Sequence, residues 1–452
     1  MNYRERLLRS IPGGAHTYSR GFDQHPLNAP EILSRGEGVY VFDPHGKKYL
    51  DYGMGLRSVN IGYSESQIDN AAIRQIKNGT NLTLPSLIEL EAAELLIELI
   101  DSVDMVKFTK NGSTAVSAAV KLARAYTGRD LVARCTDHPF FSYDDWFISS
   151  TPITRGIPRE SLGKTKMFQY NDYTSLELLI SEYPDQIACV VLEPASISCP
   201  STGSEIGGCC GLEECSRGIT SSSDNYLRQI QALCRRNGIV FILDEMITGF
   251  RWNLGGAQKI FGVQPDLCTF GKAMANGYPL ACVAGKREIM ELGSIEHSGQ
   301  ERVFFLSTTH GAEMASLGAF IENINFIKEN NVISNYWKYG SKLKKLMNQK
   351  ANQYGVGSYF KADGPACSPH FTTLDSNGVN SLGLRTLFCQ EMIKSGVLIP
   401  WISLAFRHTE EELLITELAL DATFKVYERA ISDGLEKYLD GPVIKPVFRI
   451  YN

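Results

Sequence analysis

From about Ser64 to Phe326 the hydrophobic positions follow two alternating patterns. Short continuous apolar runs are separated by longer stretches in which apolar residues recur every three or four places. The runs read as strands buried on both faces and the stretches as amphipathic helices. Their alternation predicts a mostly parallel sheet covered by helices. The runs are Met105 to Phe108, Leu131 to Cys135, Ile187 to Glu193, Ile239 to Leu243 and Leu267 to Phe270. Ala115 to Tyr126 reads as a helix with Ala119, Leu122, Ala123 and Tyr126 on one face.

The chain ends break this rhythm. Ile11-Pro12-Gly13-Gly14 is a turn, and Gly38 to Asp43 followed by Gly46 to Tyr52 reads as a hairpin. From about Lys328 a lysine-rich amphipathic helix (Asn335 to Lys350) leads to a few strands and then to helices between Glu410 and Tyr438. The expected division is a large domain over 64–326 and a smaller α+β domain built from 1–63 and 327–452. No internal repeat is present. One segment fits neither pattern: Ser196 to Asp224 is long, polar and rich in glycine and cysteine, as functional or disordered loops are. Its Cys199, Cys209, Cys210 and Cys215 lack paired zinc spacing and have no histidine nearby, so no metal is assigned.

Composition narrows the classes further. A chain of 452 residues exceeds one ordinary core, and 43% hydrophobic with 21% charged residues describes a folded protein. The net charge of -5 gives no drive towards nucleic acid or an anionic membrane. No apolar run reaches eighteen residues, and Met1 to Arg6 leads into no signal-peptide core, so a cytoplasmic location is expected. The eleven cysteines are odd in number and scattered, and most read as small buried hydrophobes.

Two residues carry the chemistry. Lys272, in Thr269-Phe270-Gly271-Lys272-Ala273, follows one apolar run, and Asp244, 28 positions earlier, follows another. Alone, each would be a surface lysine or a helix-capping acid. Together, beyond neighbouring strands where α/β folds collect ligands, they suit an aldehyde cofactor that does carbanion chemistry. Such a cofactor, pyridoxal 5'-phosphate (PLP), needs a lysine to hold it and a carboxylate to keep its ring nitrogen protonated. Lys110-Asn111-Gly112-Ser113-Thr114 then offers a phosphate cup between a strand and a helix start, with Gly112 for close approach and Ser113 and Thr114 for hydroxyl donors. An ordinary helix cap has the same composition.

With these motifs the chain resembles the class III, fold-type I PLP-dependent aminotransferases, and within them the glutamate-1-semialdehyde 2,1-aminomutase branch. The landmarks span about residues 10 to 430 and include Leu122 to Arg129, Leu192-Glu193-Pro194, Asp244-Glu245 through Gly249-Phe250-Arg251, and Gly271-Lys272. The resemblance implies a homodimer with shared active sites that moves an amino group between an amino donor and an aldehyde or ketone, or an isomerase of the aminomutase type. It makes Lys272 the residue that carries the cofactor and shuttles the proton, and Asp244 the partner of the ring nitrogen. Ile247 would pack under the ring, with Glu245 and Glu193 close by. Thr308 matches the threonine that reaches the phosphate from the partner subunit.

The departures concern the substrate side. Where the family carries Tyr-His-Gly, this chain reads Asp137-His138-Pro139-Phe140-Phe141, which makes Phe140 the stacking candidate and Phe141 the second. His138 reads as a loop histidine. The aminomutase's tryptophan after Asp-Tyr is absent from Asp51-Tyr52-Gly53-Met54-Gly55-Leu56-Arg57, and its glutamate falls at Leu404. Ser19 and Arg20 match positions that hold the substrate carboxylate, and Arg57 adds a second cation. A guanidinium suits a carboxylate or a phosphate equally, so it does not name the substrate.

Overall fold

The computed structural model describes residues 1–195, 198–201 and 225–451; Cys209, Cys210 and Cys215 lie outside them. The chain forms two compact units, one from Met1–Glu65 with Ser334–Arg449, the other from Ser66–Ile333.

The first unit opens with three short strands, β1 (Arg35–Glu37), β2 (Tyr40–Phe42) and β3 (Lys48–Asp51). They pair antiparallel in sequence order, so the hairpin expected over Gly38 to Tyr52 is present as β2 and β3.

The second unit contains β4 (Met105–Thr109), β5 (Leu131–Cys135), β6 (Thr165–Phe168), β7 (Ile187–Leu192), β8 (Val240–Asp244), β9 (Leu267–Phe270) and β10 (Ala281–Gly285). They form one sheet in the order β4-β10-β9-β8-β7-β5-β6. Neighbours from β9 to β6 are parallel, while β10 runs antiparallel to both β9 and β4. Six strands therefore point one way, and their carboxyl ends share one edge. β5, β7, β8, β9 and β10 are buried at every position, which explains the mostly apolar runs of the first four. Two strands escaped the sequence pattern. Thr165–Phe168 is an edge strand with an exposed methionine, and Ala281–Gly285 is built from small residues without β-branched bulk except Val283.

The helix expected from Ala115 spans Gly112–Thr127. Asn111 caps it by accepting the Thr114 N–H, and Gly128 ends it with φ 68°. Ala115, Ala119, Leu122 and Ala123 form its buried stripe; Tyr126, expected on that face, is 46% exposed in the last turn of the helix.

The first unit is completed by β11 (Phe360–Asp363) and β12 (His370–Thr373), an antiparallel pair, and by β13 (Val397–Leu398), which adds parallel to β3. The helix expected over Asn335 to Lys350 runs from Val332 to Gln353 and buries Tyr336, Tyr339, Leu343, Met347 and Ala351. Phe360, Phe371, Phe388 and Phe424 form an aromatic core with centroids 4.8–5.9 Å apart. Among the described residues no helix is long and apolar enough to cross a membrane, and all eight described cysteines are buried.

Candidate active site

The site-bearing residues of the second unit gather at the edge where the parallel strands end. Asp244 is the last residue of β8 rather than the first of a loop, and it lies in register with Thr269 of β9. Its Oδ1 accepts the Met246 N–H at 2.9 Å and the Thr269 hydroxyl at 3.1 Å. Burial raises its carboxyl to about 6, against the pull of the Met246 N–H, the Lys272 charge and the Thr269 hydroxyl. Both hydrogen bonds fall on Oδ1, which leaves Oδ2 for another donor.

Lys272 begins three residues beyond Thr269, in a short helical turn that follows β9. Its φ of 42° is left-handed, a conformation a side chain adopts only where its surroundings enforce it. The enforcing contact includes Asn323, whose Nδ2 donates to Ala273 O (2.9 Å) and Met274 O (3.0 Å) just after the lysine.

Met246 joins the pieces. A Cβ on Gly112 would stand 2.9 Å from its sulfur, and one on Gly271 would stand 2.6 Å from it. A side chain at either glycine would thus have to displace the Met246 thioether, and the helix start at Gly112 is drawn against the Asp244 turn. Sequence reasoning passed over Met246, whose packing partners Gly112 and Gly271 lie far from it in the chain. Glu245, by contrast, is absorbed locally. It accepts the Ala257 and Gln258 N–H groups (both 2.9 Å) and the Thr248 hydroxyl, capping the Gly256–Phe261 helix.

The proposed phosphate cup is a helix start of sixteen residues' length. Asn111 Oδ1 takes the Thr114 N–H (2.9 Å) and hydroxyl (3.0 Å), and Ser113 Oγ accepts the Tyr143 N–H (3.3 Å). The N–H groups of Gly112 and Ser113 have no carbonyl within the helix to bond, and they stand at the positive end of its dipole. Lys110 is engaged elsewhere, paired with Glu313 at 2.8 Å.

Phe140 and Phe141 differ sharply. Phe140 is 49% exposed and edge-on to Phe147, whereas Phe141 is 2% exposed and sealed between Phe147 and His138. Only Phe140 has an open face. Tyr143, also exposed and tied to Ser113, is a neighbouring aromatic the sequence reading missed. Glu193, just past β7, donates its N–H to His138 Nδ1 at 3.0 Å. That bond leaves the proton on Nε2, and burial lowers the imidazole to about 3, so His138 is neutral throughout the physiological range. Ile247 is half-buried beside Met246. Thr308 is exposed in a turn whose Gly311 lies close to both Thr308 and the Phe108 carbonyl, near the end of β4.

The first unit carries its own cavity, of about 660 Å³, whose wall includes Ser19, Arg20, Asp51, Leu56, Tyr63 and Trp401. Arg57 is not part of that wall. Leu56 and Arg57 belong to a turn in which four successive residues, Met54 to Arg57, have φ of 42°, 57°, 61° and 68°. Three of them carry side chains, and each costs about 1–2 kcal/mol in that region, so roughly 3–6 kcal/mol is stored there.

A buried acid on one strand end, a lysine just past the next strand and a helix start on the same edge define a PLP-binding α/β transferase. The residues fit the group: Asp244 Oδ2 can meet a protonated ring nitrogen, and the free N–H groups at Gly112 and Ser113 suit a phosphate. The family model described as aminotransferase class-III matches residues 22–199 and 212–431, and the chain belongs to that family. PLP is accordingly its cofactor, and amino-group transfer its chemistry.

The 3-aminobutyryl-CoA aminotransferase of Cloacimonas acidaminovorans is 30% identical over 424 residues, covering 93% of this chain and 95% of that one. A glutamate-1-semialdehyde 2,1-aminomutase of Persephonella marina is 29% identical over 385 residues, covering 82% and 83%. Among solved structures, the PLP internal aldimine form of the FumI protein of a Sphingopyxis species superposes with a TM-score of 0.81 at 26% identity, covering 95% and 97%. An omega-transaminase of Sphaerobacter thermophilus shares the fold with a TM-score of 0.79 at 24% identity, covering 94% and 97%.

Proposed function

We propose that this enzyme is a two-step transaminase that takes nitrogen from glutamate or a similar donor, releases the keto product and aminates an aldehyde or ketone bearing an acidic group. Leu404 carries this reading. It stands where the resemblance expects the aminomutase's glutamate, it is 1% exposed, and it packs against the Gly340 backbone. A buried hydrocarbon cannot offer the polar contact that would retain a diamino intermediate while it turns around. The rival, an aminomutase acting on glutamate 1-semialdehyde or a related compound, draws support from the Persephonella relative.

In this reading PLP, when bound, supplies an electron sink for the pair released at the substrate's amino-bearing carbon. Lys272 would hold the cofactor until the substrate amine displaces it, and its freed, neutral Nζ would then carry the proton from that carbon to the cofactor's aldehyde-derived carbon. Asp244 keeps the ring nitrogen protonated. Gly112, Ser113 and Thr114 hold the phosphate, Phe140 covers one ring face, and Ile247 supports the other, with Glu193 nearby. Ser19 and Arg20, on the wall of the cavity, receive the acidic group of the substrate, while Arg57, the other cation the sequence suggested, lies off that wall. Thr308 reaches the phosphate of a second subunit in a homodimer with shared sites. The exposed Leu82, Leu84, Leu87 and Leu90, close together in the chain, support such an interface. The cytoplasm is the proposed location.

The test is absorbance of the PLP-loaded enzyme mixed with glutamate and other amino donors, then with carbonyl acceptors. Conversion to the amine form by a donor, reversed by a second carbonyl compound, is the expected result. Isomerisation of a semialdehyde with no co-substrate would give the rival the field.

A further inference from the structure

Asp51 fastens the start of the left-handed turn Met54–Arg57, and Ser58 Oγ, donating to the Gly55 carbonyl at 2.7 Å, holds its middle. Asp51 Oδ1 accepts the Gly53 N–H at 2.7 Å, while Oδ2 accepts the Met54 N–H at 3.1 Å and the Tyr63 hydroxyl at 2.7 Å. From the far side, the Gly53 carbonyl accepts the Arg57 N–H at 3.0 Å and the Trp401 indole N–H at 3.1 Å. Asp51 is 4% exposed and ends β3, so the anchor itself is fixed by the sheet. The turn brings Gly55 and Leu56 into the cavity wall that also includes Ser19, Arg20, Tyr63 and Trp401.

Strain of this kind persists only where the surroundings over-determine it, and it concentrates where a chain must present groups in a set direction. Glycine at positions 54 and 56 would remove most of it. The chain instead keeps Met54, fully buried, and Leu56, half-buried on the cavity wall. A turn needed only to connect β3 to the next helix has no use for that arrangement. We propose that Asp51 is a positioning residue for substrate: it holds the strained turn that forms one wall of the substrate cavity. This rests on reading that cavity, through Ser19 and Arg20, as the place of the substrate's acidic group. Three acceptor contacts on one carboxylate matter here because an amide in its place keeps at most one acceptor oxygen.

The experiment compares PLP-loaded wild type, Asp51→Asn and Tyr63→Phe. Deuterium uptake of the peptide spanning residues 53–58 reports whether the turn is held. Single-turnover conversion of the cofactor by rising concentrations of L-glutamate reports apparent affinity and limiting rate separately. Asp51→Asn is expected to exchange at least about ten-fold faster across the turn. Its apparent affinity for glutamate is expected to fall about 10- to 100-fold with the limiting rate within a few-fold of wild type. Tyr63→Phe keeps both backbone bonds and should retain most of the protection. Unchanged uptake in Asp51→Asn overturns the proposal. So does increased uptake with unchanged glutamate affinity, which makes Asp51 merely structural, or a loss confined to the limiting rate. A wild type that fails to convert glutamate refutes the donor reading instead; the holding role then stands or falls on uptake alone.

Discussion

Replacing Asp244 by asparagine should make the cofactor-free protein more stable and the cofactor-loaded enzyme worse. Burial raises the carboxyl from 3.8 to about 6 in the folded chain. A raised folded value means that the native state favours the protonated acid. That stabilisation is complete below the unfolded value of 3.8 and is lost as pH rises through about 6. A difference of about two pKa units corresponds to roughly 3 kcal/mol, fully incurred at pH 8 and about half incurred at pH 5. Asparagine keeps an acceptor oxygen for the Met246 N–H and removes the charge. The buried Asp51 and Glu245 are common to both proteins and cancel in the comparison. Urea unfolding of the two cofactor-free proteins, followed by fluorescence, should therefore show a gain of about 1–3 kcal/mol for the variant at pH 8, shrinking towards pH 5. In the loaded enzyme the same change removes the ring's counter-charge, and the half-reaction should slow by about 10²-fold or more. A variant no more stable than wild type at pH 8, or equally favoured at both pH values, would refute the account of Asp244.

Further outcomes follow from the same geometry. Lys272→Ala should abolish turnover with an unchanged circular-dichroism spectrum; substantial residual transamination would remove Lys272 from its role. Asn323→Ala leaves two buried carbonyls without their donor, at a cost of about 1–3 kcal/mol, measured by urea unfolding; a neutral effect would show that the lysine turn is held otherwise. Gly271→Ala should destabilise through Met246, and Met246→Ala should recover part of the loss, with a coupling of about 0.5–3 kcal/mol in the double-mutant cycle. Strict additivity would mean that the backbone, not the thioether, dictates glycine there.

The large sheet was legible because four of its strands, β5, β7, β8 and β9, are buried at every position and so carry largely apolar runs. Thr165–Phe168 and Ala281–Gly285 were not, the first because an edge strand keeps polar positions, the second because its small residues give no strand preference. The neighbourhood of Asp244 and Lys272 could be foreseen from strand-end position alone. The role of Met246 could not, since a methionine's packing partners lie far off in sequence. Nor could the strain at Leu56 and Arg57: nothing in Met54-Gly55-Leu56-Arg57 announces left-handed backbone in residues that ordinarily avoid it. Phe140 was preferred over Phe141 on motif position alone, and burial separates them physically, since Phe141 is sealed in the core.

The reversed strand β10 has a consequence for how this enzyme can change. A parallel successor to β9 would have required a crossover of a dozen residues or more to regain the opposite edge. The reversal instead returns the chain after Gly271–Leu280, with Cys282 set in register against Phe270. The lysine thus rides on a short span with both abutments in the centre of one sheet. Such a span cannot be lengthened, grafted or recombined without unpicking two interior strands. The turn around Leu56, which follows β3 of the smaller sheet and is held by capping contacts rather than strand pairing, carries no such constraint. Inherited or engineered variety in substrate can accumulate there, while the span that bears the lysine stays as it is.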